Sequence, residues 1–500
     1  MTLVFAQPTI PTADGGHHAA AAAGNAAVAE EAISELRAAL SRTAPTDRLL
    51  LKAAAGAGKS YVLKRLVADA VQQPTCARVA IVAFTNKQTQ ALAGPLGAVL
   101  GQGNVCLFVS KDRIGEVPQD VLDEATVVTT TDHIPPDCKV VISTCHKLGA
   151  FKERQRQDNY LGEAKNGETP YDVLFVDEAW QIPHYLFDNV VRYAPITVGV
   201  GDVGQLPPLE AGANPWRGDP GYNPFRAWPT DFDDDARTWA RELPAVWRPS
   251  AGHLALWRAF YPEWGTLNCV AAPGDRTLDT SKLTGAAADI WRQVGTGVPT
   301  LLEVDGLPEP EAPDIDLPLV GVLEQLLDEL FSAGLAIVEA EYDESGTPTG
   351  ATKRTEPGDA TPHPLVAILA TRNQAVDDAA EVVERLRDEY SLSETDLLSS
   401  TVDSYQGQTN AITVAVHPLT GAAALNEFNS AFGRLAVTCT RATHGLLMVT
   451  RPGLDQLLAE APARPGTPFG EPGNRQLPRQ THQRILGTFA RGTLAVREVV

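Results

Sequence analysis

Short apolar runs recur in the first half of the chain, and each run ends in small or polar residues. They lie at 49–53, 78–84, 139–143, 173–176 and 196–200. Runs of this length bounded by turn residues are typical of strands that are buried on both faces of a sheet. Segments with helical spacing of apolar residues, such as 27–40, alternate with them. This alternation predicts an α/β fold built on a parallel sheet.

The pattern returns in the second half of the chain, where we predict another α/β unit. Its strands are expected at 365–370, 411–416 and 446–450, its helix at 375–386 and an inserted helix at 322–335. Residues 307–318 and 346–364 flank the inserted helix, and their Pro, Gly and acidic side chains are typical of surface loops. Two or more domains also agree with a length of 500 residues, which exceeds one ordinary core.

Charge changes the picture of possible partners. The chain has 41 basic and 62 acidic residues, so its formal net charge is −21. This balance argues against an indiscriminate nucleic-acid binder but leaves room for a local basic channel. The segment from Ala463 onwards is an exception, because six Arg against two Glu give it a charge of +4. That segment can contact nucleic acid, bind a protein partner or dock on the protein's own acidic surface.

Cysteine usage and hydropathy give an expectation for the compartment. The six cysteines are scattered without a CxxC pair, so we expect reduced thiols. No segment has a run of about 18 apolar residues, and the N-terminus lacks a basic leader. We therefore expect a soluble cytoplasmic protein without membrane contact.

The most specific motif is LLLKAAAGAGKSYVLKRL at 49–66, which has the pattern [AG]xxxxGK[ST] between a strand and a helix. Backbone N–H groups of the small residues can surround phosphate oxygens, while the Lys adds a cation and the Ser a hydroxyl for Mg²⁺. The N-terminus of the following helix adds a favourable dipole. We predict ATP and Mg²⁺ as ligands, with a phosphate loop formed by Ala55, Gly56, Ala57, Gly58, Lys59 and Ser60.

Two further strand ends carry candidate chemistry. YDVLFVDEAWQ at 171–181 ends a strand with two carboxylates. We expect Asp177 to hold Mg²⁺ together with Ser60, and Glu178 to polarise the attacking water. GDVGQLPP at 201–208 ends another strand, where Gln205 can hydrogen-bond a γ-phosphate or its attacking water.

Together these motifs resemble those of the superfamily 1 helicases, and the resemblance extends over about 45–450. The additional segments are AFTNKQTQAL at 83–92, STCHKL at 143–148, LPAVWRPSAGHLALWRAFYPEWGTL at 243–267, TVDSYQGQTNAITVAV at 401–416 and GRLAVTCTRATHGLLMV at 433–449. The last three are similar to motifs of the branch that contains the nonsense-mediated-decay helicase. The resemblance implies two RecA-like P-loop NTPase domains with parallel sheets, and movement in the 5′-to-3′ direction.

The resemblance also implies roles at the nucleotide. Arg248 and Arg441 would reach the γ-phosphate from the second domain, Trp247 would stack on the base, and the Gly407 amide would approach the γ-phosphate. A cation that arrives from another domain stabilises transition-state charge and couples hydrolysis to domain closure. The expected catalytic residues are Lys59, Glu178, Gln205, Arg248 and Arg441.

Two positions depart from the family pattern. Val28 stands where the family usually has a Gln that reads adenine, so the base selectivity is left open. Thr409 stands where the branch usually has a Glu that links the nucleotide site to the strand. This second change predicts weaker or tuned coupling.

Single strands bind through phosphate contacts and stacking aromatics, and candidates for both lie at strand ends. They are Thr85, Asn86, Thr144, His146, Ser404 and Tyr405. The run HKLGAFKERQRQ at 146–157 is basic and contains Phe151. It is equally consistent with strand binding and with a solvated helix face. DNA and RNA are not distinguished.

These expectations divide the chain into four parts. We expect a disordered leader at 1–24, a first RecA-like domain at 25–242, a second at 243–455 and a basic C-terminal tail at 456–500. Insertions are expected at about 101–138 in the first domain and about 275–363 in the second.

The leading hypothesis is an NTP-dependent helicase or translocase on single-stranded DNA or RNA. Two alternatives stay open: a nucleic-acid-stimulated NTPase that remodels a protein complex without unwinding, and a nucleotide-gated binding module. The joint presence of Glu178, Gln205, Arg248 and Arg441 argues against the binding module, because a pure switch does not need all four.

Overall fold

A computed structural model describes most of the chain. The described residues are 3–12, 15–204, 227–229, 232, 235–262, 264, 267–312, 315–371, 373–405, 407–426, 429–430, 432–461 and 478–496. Gln205 therefore lies outside the described residues, as does most of the segment that follows it.

The first domain is built on a sheet of eight parallel strands. Its strands in chain order, with two short ones, are β1 (Arg48–Ala53), β2 (Val79–Ala83), β3 (Val105–Phe108), β4 (Thr126–Val128), β5 (Val140–Thr144), β6 (Val173–Asp177), β7 (Ile182–Pro183), β8 (Ile196–Gly201), β9 (Ala227–Trp228) and β10 (Thr238–Leu243). The sheet order is β10-β1-β8-β6-β2-β5-β3-β4, and β7 pairs with β9 outside it. The strand that leads into the phosphate loop thus lies next to the strand that leads to Asp202.

Helices cover both faces of this sheet. They are α1 (Ala19–Leu40), α2 (Lys59–Ala70), α3 (Asn86–Leu100), α4 (Gln119–Glu124), α5 (Cys145–Leu148), α6 (Phe151–Arg156) and α7 (His184–Phe187). Neighbouring residues of β1 enter different apolar clusters, Leu49 and Leu51 on one face and Leu50 on the other. Burial on both faces explains why the strands read as continuous apolar runs.

The second domain has a sheet of six parallel strands and several smaller elements. Its strands are β11 (Ala245–Val246), β12 (Asn268–Cys269), β13 (Arg276–Leu278), β14 (Thr300–Asp305), β15 (Ile337–Tyr342), β16 (Pro348–Thr355), β17 (Val366–Ala370), β18 (Leu397–Thr401), β19 (Asn410–Val416), β20 (Ala442–Thr450) and β21 (Ala490–Ala495). The helices are α8 (Leu254–Phe260), α9 (Gly285–Val294), α10 (Leu317–Ser332), α11 (Asn373–Tyr390), α12 (Phe432–Cys439), α13 (Leu454–Glu460) and α14 (Pro478–Leu486).

The large sheet of this domain has the order β18-β17-β19-β20-β14-β21. Strands β13, β15 and β16 form a separate antiparallel sheet, and β11 pairs with β12. Two parallel sheets covered by helices confirm the predicted fold class of two RecA-like α/β domains. One apolar cluster runs from Leu49 in β1 to Leu446 in β20, so the cores of the two domains are continuous.

Both expected insertions are wrong in extent. The segment 101–138 contributes β3 and β4, which extend the first sheet beyond β5. The segment 275–363 contributes β14, which lies inside the second sheet between β20 and β21. Both segments therefore belong largely to the domain cores, and only β13, β15 and β16 form a separate unit.

The expected disordered leader is also wrong for residues 3–12 and 15–18. Ala6 pairs with Arg491 of β21 in an antiparallel bridge, and the Phe5 ring packs against Gly492. The Ile10 amide donates to Gly487 O, and the His18 amide donates to Val270 O. The sequence prediction failed because the partners of this segment are up to about 480 residues away along the chain.

The expected basic tail is likewise part of the fold where it is described. Residues 478–496 form α14 and β21, and Arg491 bonds the Asp455 carboxylate at 2.8 Å. Arg484 donates to Ala259 O at 3.0 Å. These cations therefore bind the protein itself, while 462–477 and 497–500 lie outside the described residues. None of the helices that the structure describes is both long and apolar enough to span a membrane.

Candidate nucleotide site

The phosphate loop joins the end of β1 to the start of α2. Gly56 and Gly58 have φ angles of +73° and +95°, in the region that favours glycine. A Cβ atom on Gly56 would also overlap the Cβ of Arg248, so this position requires glycine for space as well. Helix α2 begins at Lys59 and directs its N-terminal dipole at the loop. The predicted strand, loop and helix all lie in the expected order.

Lys59 and Glu178 form an ion pair at the centre of the site. The Lys59 ammonium lies 2.9 Å from Glu178 Oε1 and 3.0 Å from Oε2, and both side chains are largely buried. Glu178 has a φ of +49°, which is uncommon for a residue with a side chain. Such a conformation persists where the surrounding structure fixes it, and functional sites are enriched in it.

Asp177 ends β6 and is buried beside Glu178. Burial and the neighbouring Glu178 charge raise the pKa of Asp177 to about 7, against the opposing effect of Lys59. A carboxylate with these neighbours favours a bound cation. Ser60, in the first turn of α2, is exposed and can offer its hydroxyl. One hydroxyl and one carboxylate fit Mg²⁺, which usually keeps several water ligands.

Arg248 and Arg441 meet at Thr440, which follows α12. Arg248 Nη1 donates to Thr440 O at 3.0 Å, and Arg441 Nη2 donates to Thr440 Oγ1 at 2.9 Å. Burial lowers the pKa of both guanidiniums, and Asp202 opposes this shift in each. Both remain cations because an arginine in water titrates far above neutral pH. Two cations predicted from distant motifs are therefore brought together.

Arg248 is bonded to both domains, whereas the resemblance implies that it reaches the nucleotide from the second domain alone. The amides of Trp247 and Arg248 donate to Gly56 O in the phosphate loop, at 2.8 and 3.2 Å. The Arg248 backbone is thus attached to the first domain, while its guanidinium reaches Thr440 in the second. Arg276 in β13 supports the same segment by donating to the carbonyls of Trp247, Arg248 and Pro249.

Further side chains hold the phosphate loop, and the sequence analysis assigned none of them. The Asn25 amide donates to Ala57 O at 2.9 Å and to Ala245 O at 2.8 Å, and it accepts from Ala245 N at 2.8 Å. The Trp257 indole donates to Ala55 O at 2.9 Å. No local pattern in the sequence indicates the role of Asn25 or of Trp257.

Trp247 lies beside the phosphate loop, and Gly407 lies next in sequence to a contact of Arg441. A Cβ on Gly58 would lie 3.9 Å from the Trp247 ring, so the ring edge adjoins the loop. The far side of this ring lies against Gly346, in the turn between β15 and β16. Gly407 has a φ of +81° and precedes Gln408, whose carbonyl accepts from Arg441 Nη1 at 3.3 Å.

The candidate nucleic-acid contacts divide into accessible and buried groups. Thr85 follows β2 and Thr144 ends β5, and these neighbouring strands bring both residues, with Asn86 and His146, to one sheet edge. Thr85 and His146 are exposed, whereas Thr144 is mostly buried and caps α5 by accepting from Lys147 N. The Thr144 side chain is therefore committed to the helix.

The prediction for Tyr405 is wrong. Its side chain is buried, with 1% of its surface exposed, and its hydroxyl bonds Thr409 O at 3.4 Å. Ser404 beside it is exposed and accepts a hydrogen bond from Thr401 Oγ1. At this turn the Ser404 side chain points to the surface, and the neighbouring Tyr405 side chain points to the interior.

The basic run at 146–157 is mainly structural. The buried Glu153 carboxylate binds Lys147 at 2.9 Å and Arg156 at 3.1 Å. Arg154 donates to the Asn189 side chain. Phe151 is 73% exposed and stays a candidate for stacking. Most of the cations described in this run are bonded to other side chains of the protein. This favours a helix on the protein surface over a strand-binding site.

Comparison with known proteins bears on the first domain. Residues 36–211, about a third of the chain, match the family described as AAA domain. The match covers the phosphate loop and the strands that end at Asp177 and Gly201. It supports a P-loop nucleotide-binding domain. No curated protein matches the chain.

Solved structures of several helicases are similar to the chain at low identity. Arterivirus nonstructural protein 10, a helicase solved with DNA, has 13% identity and a TM-score of 0.37 over 86% of this chain and 65% of that one. The PRRSV helicase has 13% identity and a TM-score of 0.37 over 92% and 66%. The DUF1998 helicase MrfA, solved with DNA and AMPPNP, has 9% identity and a TM-score of 0.41 over 91% and 54%. This chain spans about half to two thirds of the length of these proteins.

Proposed function

We propose that the protein is an NTP-driven motor of the superfamily 1 helicase type, which hydrolyses ATP and moves along single-stranded DNA or RNA. The observation that carries the proposal is the convergence of four charged side chains on one phosphate loop. Lys59 and Glu178 belong to the first domain, Arg441 to the second, and Arg248 to the segment between them. Hydrolysis at such a boundary can drive relative domain movement.

The proposed chemistry begins when the phosphates of ATP reach the loop. Amides at the start of α2 would bind phosphate oxygens. Lys59 would leave its ion pair with Glu178 and bind the outer phosphates. Glu178 would then accept a proton from the attacking water. Bound Mg²⁺ would neutralise phosphate charge, held by the Ser60 hydroxyl and through water by Asp177.

The two arginines would act on the γ-phosphate. Each brings a guanidinium that can stabilise the charge that develops on the phosphoryl oxygens. Because both contact Thr440 beside β20, their capture by the γ-phosphate would draw the second domain towards the first. Loss of the γ-phosphate would release this link, which gives the cycle a closed and an open state.

The strand would cross the sheet edge that carries Thr85, Asn86 and His146, and continue to Ser404 in the second domain. Polar side chains at these positions suit phosphate and sugar contacts, which do not depend on sequence. By resemblance to the branch that contains the nonsense-mediated-decay helicase, we propose 5′-to-3′ movement.

Displacement of streptavidin from a biotinylated single strand tests the movement and its direction. We expect ATP-dependent displacement from the 3′ end, and none with Lys59→Ala as the blank. Displacement only from the 5′ end would contradict the assignment to this branch. Hydrolysis without displacement from either end would contradict the motor and favour a remodelling NTPase.

A further inference from the structure

Tyr261, just after α8, has a buried hydroxyl that makes hydrogen bonds to two parts of the nucleotide site. It accepts from the Ala55 amide of the phosphate loop at 3.1 Å. It donates to the Asp202 carboxylate, whose two oxygens each lie 2.9 Å away. The tyrosine is only 3% exposed, so water does not compete for these bonds.

The tyrosine ring is fixed as firmly as its hydroxyl. It stacks on Trp264 with the ring centres 4.8 Å apart, and its edge lies where a Cβ of Gly204 would be. Asp202 is further fixed by accepting from the Gly204 amide at 2.9 Å. Tyr261 therefore adds a side-chain link between the phosphate loop and the end of β8, whose strand already pairs with β1.

Asp202 and Glu178 are the two carboxylates that act electrostatically on both arginines. The charge of Asp202 favours the protonated forms of both Arg248 and Arg441, and Lys59 and Glu178 also act on it electrostatically. A carboxylate free to turn in this site could pair directly with either guanidinium and keep it from a phosphate. The bond from Tyr261 prevents this by orienting the carboxylate.

We propose that Tyr261 is a positioning residue, which holds Asp202 so that Arg248 and Arg441 stay available for the γ-phosphate. This inference rests on the proposed nucleotide chemistry. It predicts that loss of the hydroxyl harms the binding of a group at the γ-phosphate position more than it harms the binding of ADP.

Trp257 provides the matched control. It holds the other side of the same residue by donating to Ala55 O, and no bond links it to Asp202 among the described residues. Removal of its indole N–H should loosen the phosphate loop for any nucleotide. Removal of the Tyr261 hydroxyl breaks a bond to the same loop residue and, in addition, releases Asp202.

The experiment is a double-mutant cycle read by binding and by turnover. The variants are Tyr261→Phe, Asp202→Asn and Trp257→Phe, with the two pairs that contain Asp202→Asn. Affinities are measured for ADP alone and for ADP with aluminium fluoride, which mimics the transferring phosphate, and kcat and KM are measured for ATP.

We expect Tyr261→Phe to lower kcat and the preference for ADP–aluminium fluoride over ADP by about tenfold or more, with a smaller loss of ADP affinity from the broken bond to Ala55. Adding Asp202→Asn should restore most of the lost preference, because a neutral amide does not pair with either guanidinium. Trp257→Phe should weaken ADP binding, and its effect should multiply with that of Asp202→Asn. If Tyr261→Phe does not fold, Asp202→Asn alone must keep the preference for ADP–aluminium fluoride near that of the wild type, because a neutral amide cannot pair with either guanidinium. A selective loss in Asp202→Asn would overturn the inference.

Independent effects of Tyr261→Phe and Asp202→Asn would overturn the inference, as would an equal loss of ADP affinity. A wild type that binds both ligands without turnover would overturn the proposed hydrolysis, while the binding cycle would still decide the role of Tyr261. A wild type that binds neither ligand would overturn both.

Discussion

At the residue scale, the pairing of Lys59 with Glu178 gives the general-base candidate a second role. Until a phosphate attracts Lys59, Glu178 balances its charge at 2.9 Å. A neutral amide at this position would therefore leave the lysine more available for phosphates while removing the base. Hydrolysis and nucleotide affinity should change in opposite directions.

We expect Glu178→Gln to reduce kcat by about 10²- to 10⁴-fold, the usual range for a lost general base. ATP should bind as tightly as in the wild type or more tightly, because the competing carboxylate charge is gone. Single-turnover hydrolysis and equilibrium binding measure the two effects, with Glu163→Gln at an exposed position as the control. Normal turnover in Glu178→Gln would contradict this placement of the base.

Asn25 supplies a second test at this scale. It is buried, and its amide joins the phosphate loop at Ala57 to the start of β11 at Ala245. Asn25→Ala leaves buried backbone groups without partners, at a cost of about 1–3 kcal/mol for each group. Urea denaturation should show lower stability, and the KM for ATP should rise.

Asn25→Asp changes the hydrogen bonds of this side chain while keeping its size. The carboxylate can still accept from Ala245 N, but it meets two carbonyl oxygens that need a donor. It should be at least as harmful as Asn25→Ala at neutral pH and less harmful in acid. Equal stability of both variants and the wild type would show that the amide does not hold the loop.

The sequence indicated the residues that belong to compact motifs. Lys59, Asp177 and Glu178 stand next to recognisable strand ends, so their meeting was predictable. Tyr261 and Asn25 act through partners that are far apart in the chain, and no local pattern marks such a bond. Tyr405 was misplaced because burial depends on tertiary packing that a motif does not contain.

At the element scale, the long apolar strands were predicted within a residue or two, except β20, which begins four residues before its predicted start. Strand β14 was missed because its run, TLLEVD, is mixed with acidic residues and lies among Pro-rich loops. The N-terminal segment was missed because short polar and Pro-containing sequences look disordered unless a partner strand is known. That segment now becomes a structural element with a testable role.

Removal of residues 1–12 should destabilise the second domain. The deletion exposes the edge of β21 at Arg491 and the surface under Phe5. Full burial of a Phe side chain is worth about 1.5–3 kcal/mol, and the partly buried Phe5 contributes a fraction of this. We expect a lower melting temperature, and Phe5→Ala in the full chain should reproduce part of the loss. An unchanged melting temperature would contradict the packing of this segment.

Four buried histidines make the second part of the chain sensitive to acid. Burial lowers the pKa of His253 and His444 to about 3 and that of His482 to about 4, and it lowers the pKa of His417 well below its usual value. Arg276 adds to the shift at His253 and His444, and His482 and Arg491 add to that at His417.

The folded pKa of each histidine lies below the unfolded value of 6.5. Stability is therefore fully present above pH 6.5 and is lost as the pH falls, because only the unfolded chain takes up these protons. Each group contributes about 1.4 kcal/mol per pH unit in that window. Asp177 and Asp202, whose pKa values are raised, act in the opposite direction.

Denaturation between pH 7.5 and 5 isolates this effect by comparing variants. His482→Gln should remove the uptake of about one proton on unfolding. The free energy of unfolding should then fall with acid by about 1.4 kcal/mol per pH unit less than in the wild type. His133→Gln, at an exposed position, serves as the control. An identical pH dependence in the wild type and His482→Gln would contradict the burial of a neutral histidine.

At the scale of the whole molecule, the two sheets are joined by more than a linker. Their apolar cores are continuous, the N-terminal segment contacts β21 before α1 packs on the first domain, and Arg248 links the phosphate loop to Thr440. The proposed cycle requires these links to respond to the γ-phosphate. In this cycle, hydrolysis at the boundary depends on a strand that crosses both domains.

Steady-state hydrolysis of ATP and GTP, measured with and without single-stranded DNA or RNA, tests whether turnover depends on the strand. We predict that one of these polymers increases the turnover of the wild type severalfold, and that Lys59→Ala is inactive under every condition. Comparison of ATP with GTP also shows whether Val28, in place of the family Gln, relaxes base selectivity. Turnover that is indifferent to both polymers would contradict the motor, and would favour a remodelling NTPase or a nucleotide-gated switch.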